Sequence, residues 1–114
     1  MKMRTLVCDD DPAMLRLTSQ IIRKAGYTVV EAVDGYGVWE AFQDESIQLA
    51  VLDWEVPGPT AIENCERLKN HHKRHSIYVI VLTGRSAAED VSMALEAGAR
   101  LCQKTALFLP CMID

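Results

Sequence analysis

Four short apolar runs punctuate the chain: Leu6-Val7-Cys8, Thr28-Val29-Val30, Leu49-Ala50-Val51-Leu52 and Val79-Ile80-Val81-Leu82. The third and fourth are continuously apolar, the pattern of parallel strands covered on both faces. Segments with helical spacing separate them. From Asp11 to Ala25, the residues Met14, Leu17, Thr18, Ile21 and Ala25 fall on one predicted face. Asp11 suits an N-cap, Pro12 the first helical position and Gly26 the stop. A second helix is predicted over about 36–44 with Val38, Ala41 and Phe42 inward, and a third over about 60–71 with Ile62, Cys65 and Leu68 inward. A fourth covers about 87–97, with Val91, Ala94 and Leu95 inward and Gly98 at its end. Strand and helix alternate four times, then a short fifth strand and a tail follow. That order predicts an α/β, doubly wound parallel sheet with helices on both faces.

Composition narrows the class. The 114 residues suit one domain, and 49% hydrophobic with 25% charged residues excludes disorder. No apolar run approaches the ~18 residues of a membrane span, and the opening stretch is too short and polar for a signal peptide, so no membrane partner is expected. The net charge of −4 argues against direct nucleic-acid binding by this domain. The four cysteines, Cys8, Cys65, Cys102 and Cys111, lack metal-ligand or disulfide spacing and read as reduced thiols of a cytoplasmic protein.

The acids point to chemistry. In a doubly wound sheet, ligands sit at the carboxyl ends of strands beside a switch in strand order. Asp9, Asp10 and Asp11 follow the first apolar run and Asp53 follows the third. If those strands are neighbours, Asp9, Asp10 and Asp53 converge, and their repulsion calls for a cation. A hard, oxygen-seeking Mg²⁺ fits such ligands. Thr83 closes the fourth run beside Gly84, and Lys104 follows the predicted fifth strand. Acids, a hydroxyl and an ammonium at successive strand ends form a phosphoryl site.

These stretches, LVCDDDPAM at 6–14, LAVLDWEVPG at 49–58, VIVLTG at 79–84 and LEAGA at 95–99, resemble those of response-regulator receiver domains in order and spacing. The resemblance implies a flavodoxin-like five-stranded sheet of order 2-1-3-4-5. It implies Asp53 as phosphoacceptor and a Mg²⁺ site built from Asp9, Asp10, Asp53 and the backbone carbonyl of Glu55. It implies Thr83 as the switch hydroxyl, and a histidine kinase or phosphotransfer protein and an output protein or domain as partners. Such a domain is not an enzyme beyond taking on and losing its own phosphoryl group. Glu55 and Arg85 carry opposite charges two residues after Asp53 and Thr83. A bridge between them across the site mouth would restrict an attacking water; the plainer reading leaves both solvated.

The match covers residues 1–99, and 100–114 depart from it. The lysine arrives one residue early, no aromatic precedes it, no proline follows it, and the usual last helix is replaced by a short apolar tail. Because a one-residue slip turns strand side chains over, the register of Lys104 toward the phosphoryl site is left open. Back-translation offers a cause. One synonymous string for 100–106, CGA CTA TGC CAA AAA ACC GCT, reads Asp-Tyr-Ala-Lys-Lys-Pro one nucleotide later, which restores the missing motif. The expectation is a frameshifted tail, tested by the coding DNA. Losing a helix also exposes apolar sheet, which predicts a homodimer or swapped assembly, with Leu107, Phe108, Leu109, Met112 and Ile113 as candidate cover.

Two other classes compete. One is a receiver-fold interaction module, impaired in phosphosignalling by its altered end. The other is a small phosphatase, disfavoured because Asp53-Trp54-Glu55 lacks the second aspartate of an acid-x-acid nucleophile motif. The basic run through His71, His72 and His75 reads as a solvated helix end. Trp39 reads as a half-buried helix residue, and Trp54 as packing beside the site. Gly35 and Gly37 open a helix rather than forming a phosphate loop.

Overall fold

The computed structural model describes residues 4–71, 76–84 and 88–103. Five strands and four helices alternate: β1 (Arg4–Cys8), α1 (Pro12–Lys24), β2 (Thr28–Ala32), α2 (Gly35–Phe42), β3 (Ile47–Asp53), α3 (Ala61–Lys69), β4 (Tyr78–Thr83), α4 (Ala88–Glu96) and β5 (Ala99–Gln103). All neighbouring strands are parallel, in the order β2-β1-β3-β4-β5. The sheet and its order are those expected from the sequence. Residues 100–103, which the sequence reading placed outside the resemblance, pair along β4 as the edge strand.

Strand side chains alternate between two cores. Leu6, Cys8, Ala50, Leu52, Val79 and Val81 join Val38 and Phe42 of α2, Ile62, Cys65 and Leu68 of α3 and Ala94 of α4. Val7, Leu49, Val51, Ile80, Leu82 and Cys102 face the other way and meet Leu15 and Ile22 of α1. Ile80, Leu82 and Cys102 on that second face are buried rather than exposed.

Helix ends follow their caps. Asp11 accepts a hydrogen bond from the Ala13 N–H at 3.0 Å and Asp34 accepts one from the Gly37 N–H at 2.8 Å. Thr60 and Glu63 form a reciprocal capping box at the start of α3. Asp11 therefore caps α1, as its place before Pro12 predicts.

Two expected faces are corrected. On α1 the buried residues are Leu15, Thr18, Ser19 and Ile22; Met14, Leu17 and Ile21 are half-buried and Ala25 is exposed. The buried face is turned by one position from the expected one, from Met14, Leu17 and Ile21 to Leu15, Thr18 and Ile22. On α4, Ala94 is buried, but Val91, Met93 and Leu95 are 39%, 45% and 48% exposed. Small Ala94 and Ala97 lie against the sheet and bring the helix close, which turns the large residues outward. Among the described residues, Val91, Met93 and Leu95 of α4 join Val33, Tyr36 and Tyr78 as the exposed large apolar side chains.

His71 also departs from a purely solvated end. Its ring meets Trp39 edge-on at 5.6 Å, and the Arg67 guanidinium lies 3.9 Å from the Trp39 ring centre. His72 and His75 lie outside the described residues, as do Arg85, Lys104 and Cys111. Among the described residues, Cys8, Cys65 and Cys102 are buried, and no helix is long and apolar enough to cross a membrane.

Candidate functional site

Register brings the acids together. Cys8 at the end of β1 lies level with Leu52 on β3, so Asp9 and Asp53 emerge next, side by side, at one sheet edge. The Asp9 N–H donates to the Ala32 carbonyl at 3.2 Å, and the Asp9 carboxylate accepts from the Asp11 N–H at 2.9 Å. Both bonds orient Asp9. Asp53 lies level with Leu82, whose carbonyl accepts from the Trp54 N–H at 2.9 Å. Oxygen atoms of Asp9, Asp10 and Asp53 lie within 4.8 Å of one another, with Asp9 and Asp53 buried and Asp10 exposed.

Thr83 ends β4 one residue past the level of Asp53 and is 3% exposed. It lies level with Gln103, the residue immediately before Lys104. Glu55 is exposed two residues after Asp53. Trp54 is 4% exposed, in line with packing beside the site. The Glu55–Arg85 bridge and the reach of Lys104 fall outside the described residues.

The loop after Asp53 is pinned to α2. The Gly35 N–H donates to the Pro57 carbonyl at 2.9 Å, and the Ala61 N–H donates to the Trp54 carbonyl at 3.2 Å. Gly58 has φ of +79°, which favours glycine, and the Tyr36 ring lies over it. Sequence reasoning marked Gly35 as a helix opener but missed its contact with this loop. The Asp34-Gly35 pair carries only the cap signal; the loop contact joins segments about twenty residues apart.

Buried Cys8 borders the acids. Burial pushes its thiol up to about 12, and the negative charges of Asp9, Asp34, Asp53 and Asp10 add to this. Burial also raises Cys65 to about 12, with a smaller contribution from Glu66. The unfolded chain, with thiols near 9.0, loses these protons first as pH rises. Their contribution is complete below pH 9 and is lost between pH 9 and 12. Urea unfolding from pH 8 to pH 11 should show declining stability, by at most about 3 kcal/mol per thiol at pH 11. A Cys8→Ala, Cys65→Ala double variant should decline less steeply; an equal slope would refute the assignment.

The fold agrees with comparison to known proteins. The family model described as the response regulator receiver domain matches residues 5–103. The chain belongs to the response regulator receiver domain family. This receiver domain is 34% identical over 98 residues to the uncharacterized transcriptional regulatory protein YrkP of Bacillus subtilis (strain 168), covering 86% of this chain and 41% of that protein. A CheY-like response regulator receiver domain protein from Methanospirillum hungatei JF-1 superposes with a TM-score of 0.79 at 31% identity, over 91% of this chain and 82% of that one. The chemotaxis response regulator CheY4 of Vibrio cholerae shares the fold, with a TM-score of 0.82 at 19% identity over 99% and 98%. The chain spans about two fifths of the length of the curated relatives it matches. It is thus a receiver domain of two-component signalling, a signalling domain rather than a conventional enzyme.

The donor set suits the ion that receiver domains bind. Three carboxylates offer oxygen ligands alone, and two of them are buried, which matches the preference of Mg²⁺ for hard oxygen donors. Repulsion within the cluster is relieved by such a cation.

Proposed function

We propose that the receiver takes a phosphoryl group onto Asp53 and passes the signal to an output partner. The observation that carries this is the acid cluster: Asp53 ends a central strand beside Asp9 and Asp10. Its donors are a histidine kinase or a phosphotransfer protein, which puts the chain in the cytoplasm. An Asp53 carboxylate oxygen attacks phosphorus and forms an O–P bond. The P–N bond of the donor phosphohistidine breaks, and the imidazole leaves with the electron pair and takes up a proton.

Asp9, Asp10, Asp53 and the Glu55 carbonyl would hold Mg²⁺, which offsets negative charge on the phosphoryl oxygens. Asp9 is held for this task by its bond from Asp11. The Thr83 hydroxyl donates to a phosphoryl oxygen and couples the site to β4 and α4. Lys104 would add an ammonium to the same oxygens, one residue beyond the partner of Thr83.

The test is intact mass after incubation with Mg²⁺ and acetyl phosphate. A gain of one phosphoryl group, mapped to the peptide carrying Asp53, supports the reading. An unmodified chain under conditions that label another receiver overturns it and leaves the impaired interaction module.

The unusual 100–114 end belongs to the same proposal. Coding DNA whose next frame cannot read Asp-Tyr-Ala-Lys-Lys-Pro removes the frameshift origin. The apolar residues exposed on α4 favour a homodimer or swapped assembly. Light scattering should show mass rising toward a dimer with concentration, and Leu95→Glu should reduce that rise; a monomer at every concentration overturns it.

A further inference from the structure

The residue that opens α2 is held from two sides. Its N–H donates to the Pro57 carbonyl at 2.9 Å, and its own carbonyl accepts from Asn64 Nδ2 of α3, also at 2.9 Å. This residue, Gly35, has no slack, because a Cβ there would lie 1.8 Å from the Pro59 carbonyl oxygen. One residue earlier, the Asp34 carbonyl accepts from Cys8 Sγ at 3.6 Å. Asp34 and Gly35 therefore join the end of β1, which leads into Asp9 and Asp10, to the loop after Asp53.

Asn64 is an unfavourable core residue by any other measure. It is 1% exposed, on a helix that buries Ile62, Cys65 and Leu68. Its amide nitrogen is the only end that can donate to a carbonyl, which fixes its orientation. Among the described residues, Oδ1 then has no partner, an arrangement that costs stability in a low-dielectric interior. A leucine of similar size would fill the space without that cost. What the amide adds is the bond to Gly35.

We infer that Asn64 is a positioning residue for the metal-binding loop. By holding Gly35 it holds Pro57, and so sets the Glu55 carbonyl relative to Asp9, Asp10 and Asp53. The inference rests on the receiver reading above and assigns a role to a residue outside the acid cluster. Asn64 touches neither the phosphoryl group nor the ion; it acts through Gly35 and Pro57.

The test compares the full chain with Asn64→Leu. Without metal, amide exchange at Gly35, Trp54, Glu55, Val56 and Gly58 should quicken in the variant. In a Mg²⁺ titration followed by tryptophan emission, half-saturation should rise about tenfold. Labelling by acetyl phosphate at saturating Mg²⁺ should remain near the wild-type rate. A merely structural loss would raise the Mg²⁺ midpoint only by the factor by which the folded fraction, read from urea unfolding, has fallen. Asn64→Ala removes the same donor without adding bulk; if Asn64→Leu does not fold, it should give the same shift. A folded variant with the wild-type Mg²⁺ midpoint overturns the inference while leaving the receiver reading intact. A wild-type chain that binds no Mg²⁺ overturns both.

Discussion

Asp53→Asn is expected to abolish phosphoryl incorporation from acetyl phosphate in the presence of Mg²⁺. The amide is close in shape to the carboxylate, so packing at this buried strand end changes little. It lacks the anionic oxygen that attacks phosphorus, and it removes one of the three clustered charges. The intact mass of the variant should stay at its starting value while the wild-type chain gains one phosphoryl group. Beryllofluoride should alter tryptophan emission in the wild-type chain and not in Asp53→Asn, because buried Trp54 follows the acceptor directly. Equal labelling of the two proteins would place the acceptor elsewhere and remove the proposed role of Asp53. Steady turnover of unrelated phosphoesters would instead favour the phosphatase reading.

Gly35→Ala is expected to be the most destabilising conservative change outside the acid cluster. Its new methyl group would sit 1.8 Å from the Pro59 carbonyl oxygen and 2.7 Å from the Pro59 carbonyl carbon. Both are backbone atoms, so no side-chain rotation relieves the clash. Either α2 or the loop after Asp53 must move, which disturbs the bonds from Gly35 to Pro57 and from Asn64 to Gly35. Urea unfolding should show a loss of about 3 kcal/mol, at the upper end for overpacking. The thermal midpoint should fall by roughly 15 °C. Gly26→Ala is a useful contrast, since its φ is +98° but nothing lies within 4 Å of the added methyl. A smaller effect at Gly35 than at Gly26 would show that the loop yields easily and would weaken the case for a tightly pinned site.

Much of this was legible in the residues themselves. Continuous apolar runs at 49–52 and 79–82 announced central parallel strands, and both became strands buried on two faces. Asp11-Pro12 marked the start of α1 because capping and proline geometry are local. Convergence of Asp9, Asp10 and Asp53 followed from strand order, since adjacent parallel strands deliver their carboxyl ends to one edge.

What sequence reading misjudged was how helices meet the sheet. Hydrophobic size pointed Val91 and Leu95 inward, yet alanines carry the contact of α4 and the larger residues face out. Helical periodicity identifies a face only to within a residue or so, and the depth of approach depends on the partner surface. On α1 the error is one of rotation: Leu15, Thr18, Ser19 and Ile22 are buried, one position on from Met14, Leu17 and Ile21, which lie at the margin.

By itself, the sequence determined the alternation of strands and helices, the family and the set of acids available for chemistry. Those depend on local spacing and on residue identity. Only the tertiary structure decided that Gly35 would be pressed against Pro59, tied to Pro57 and held by Asn64. Those partners lie more than twenty positions away along the chain. A contact of that range leaves no periodicity or neighbouring motif; it exists only once α2, α3 and the loop after Asp53 are packed together.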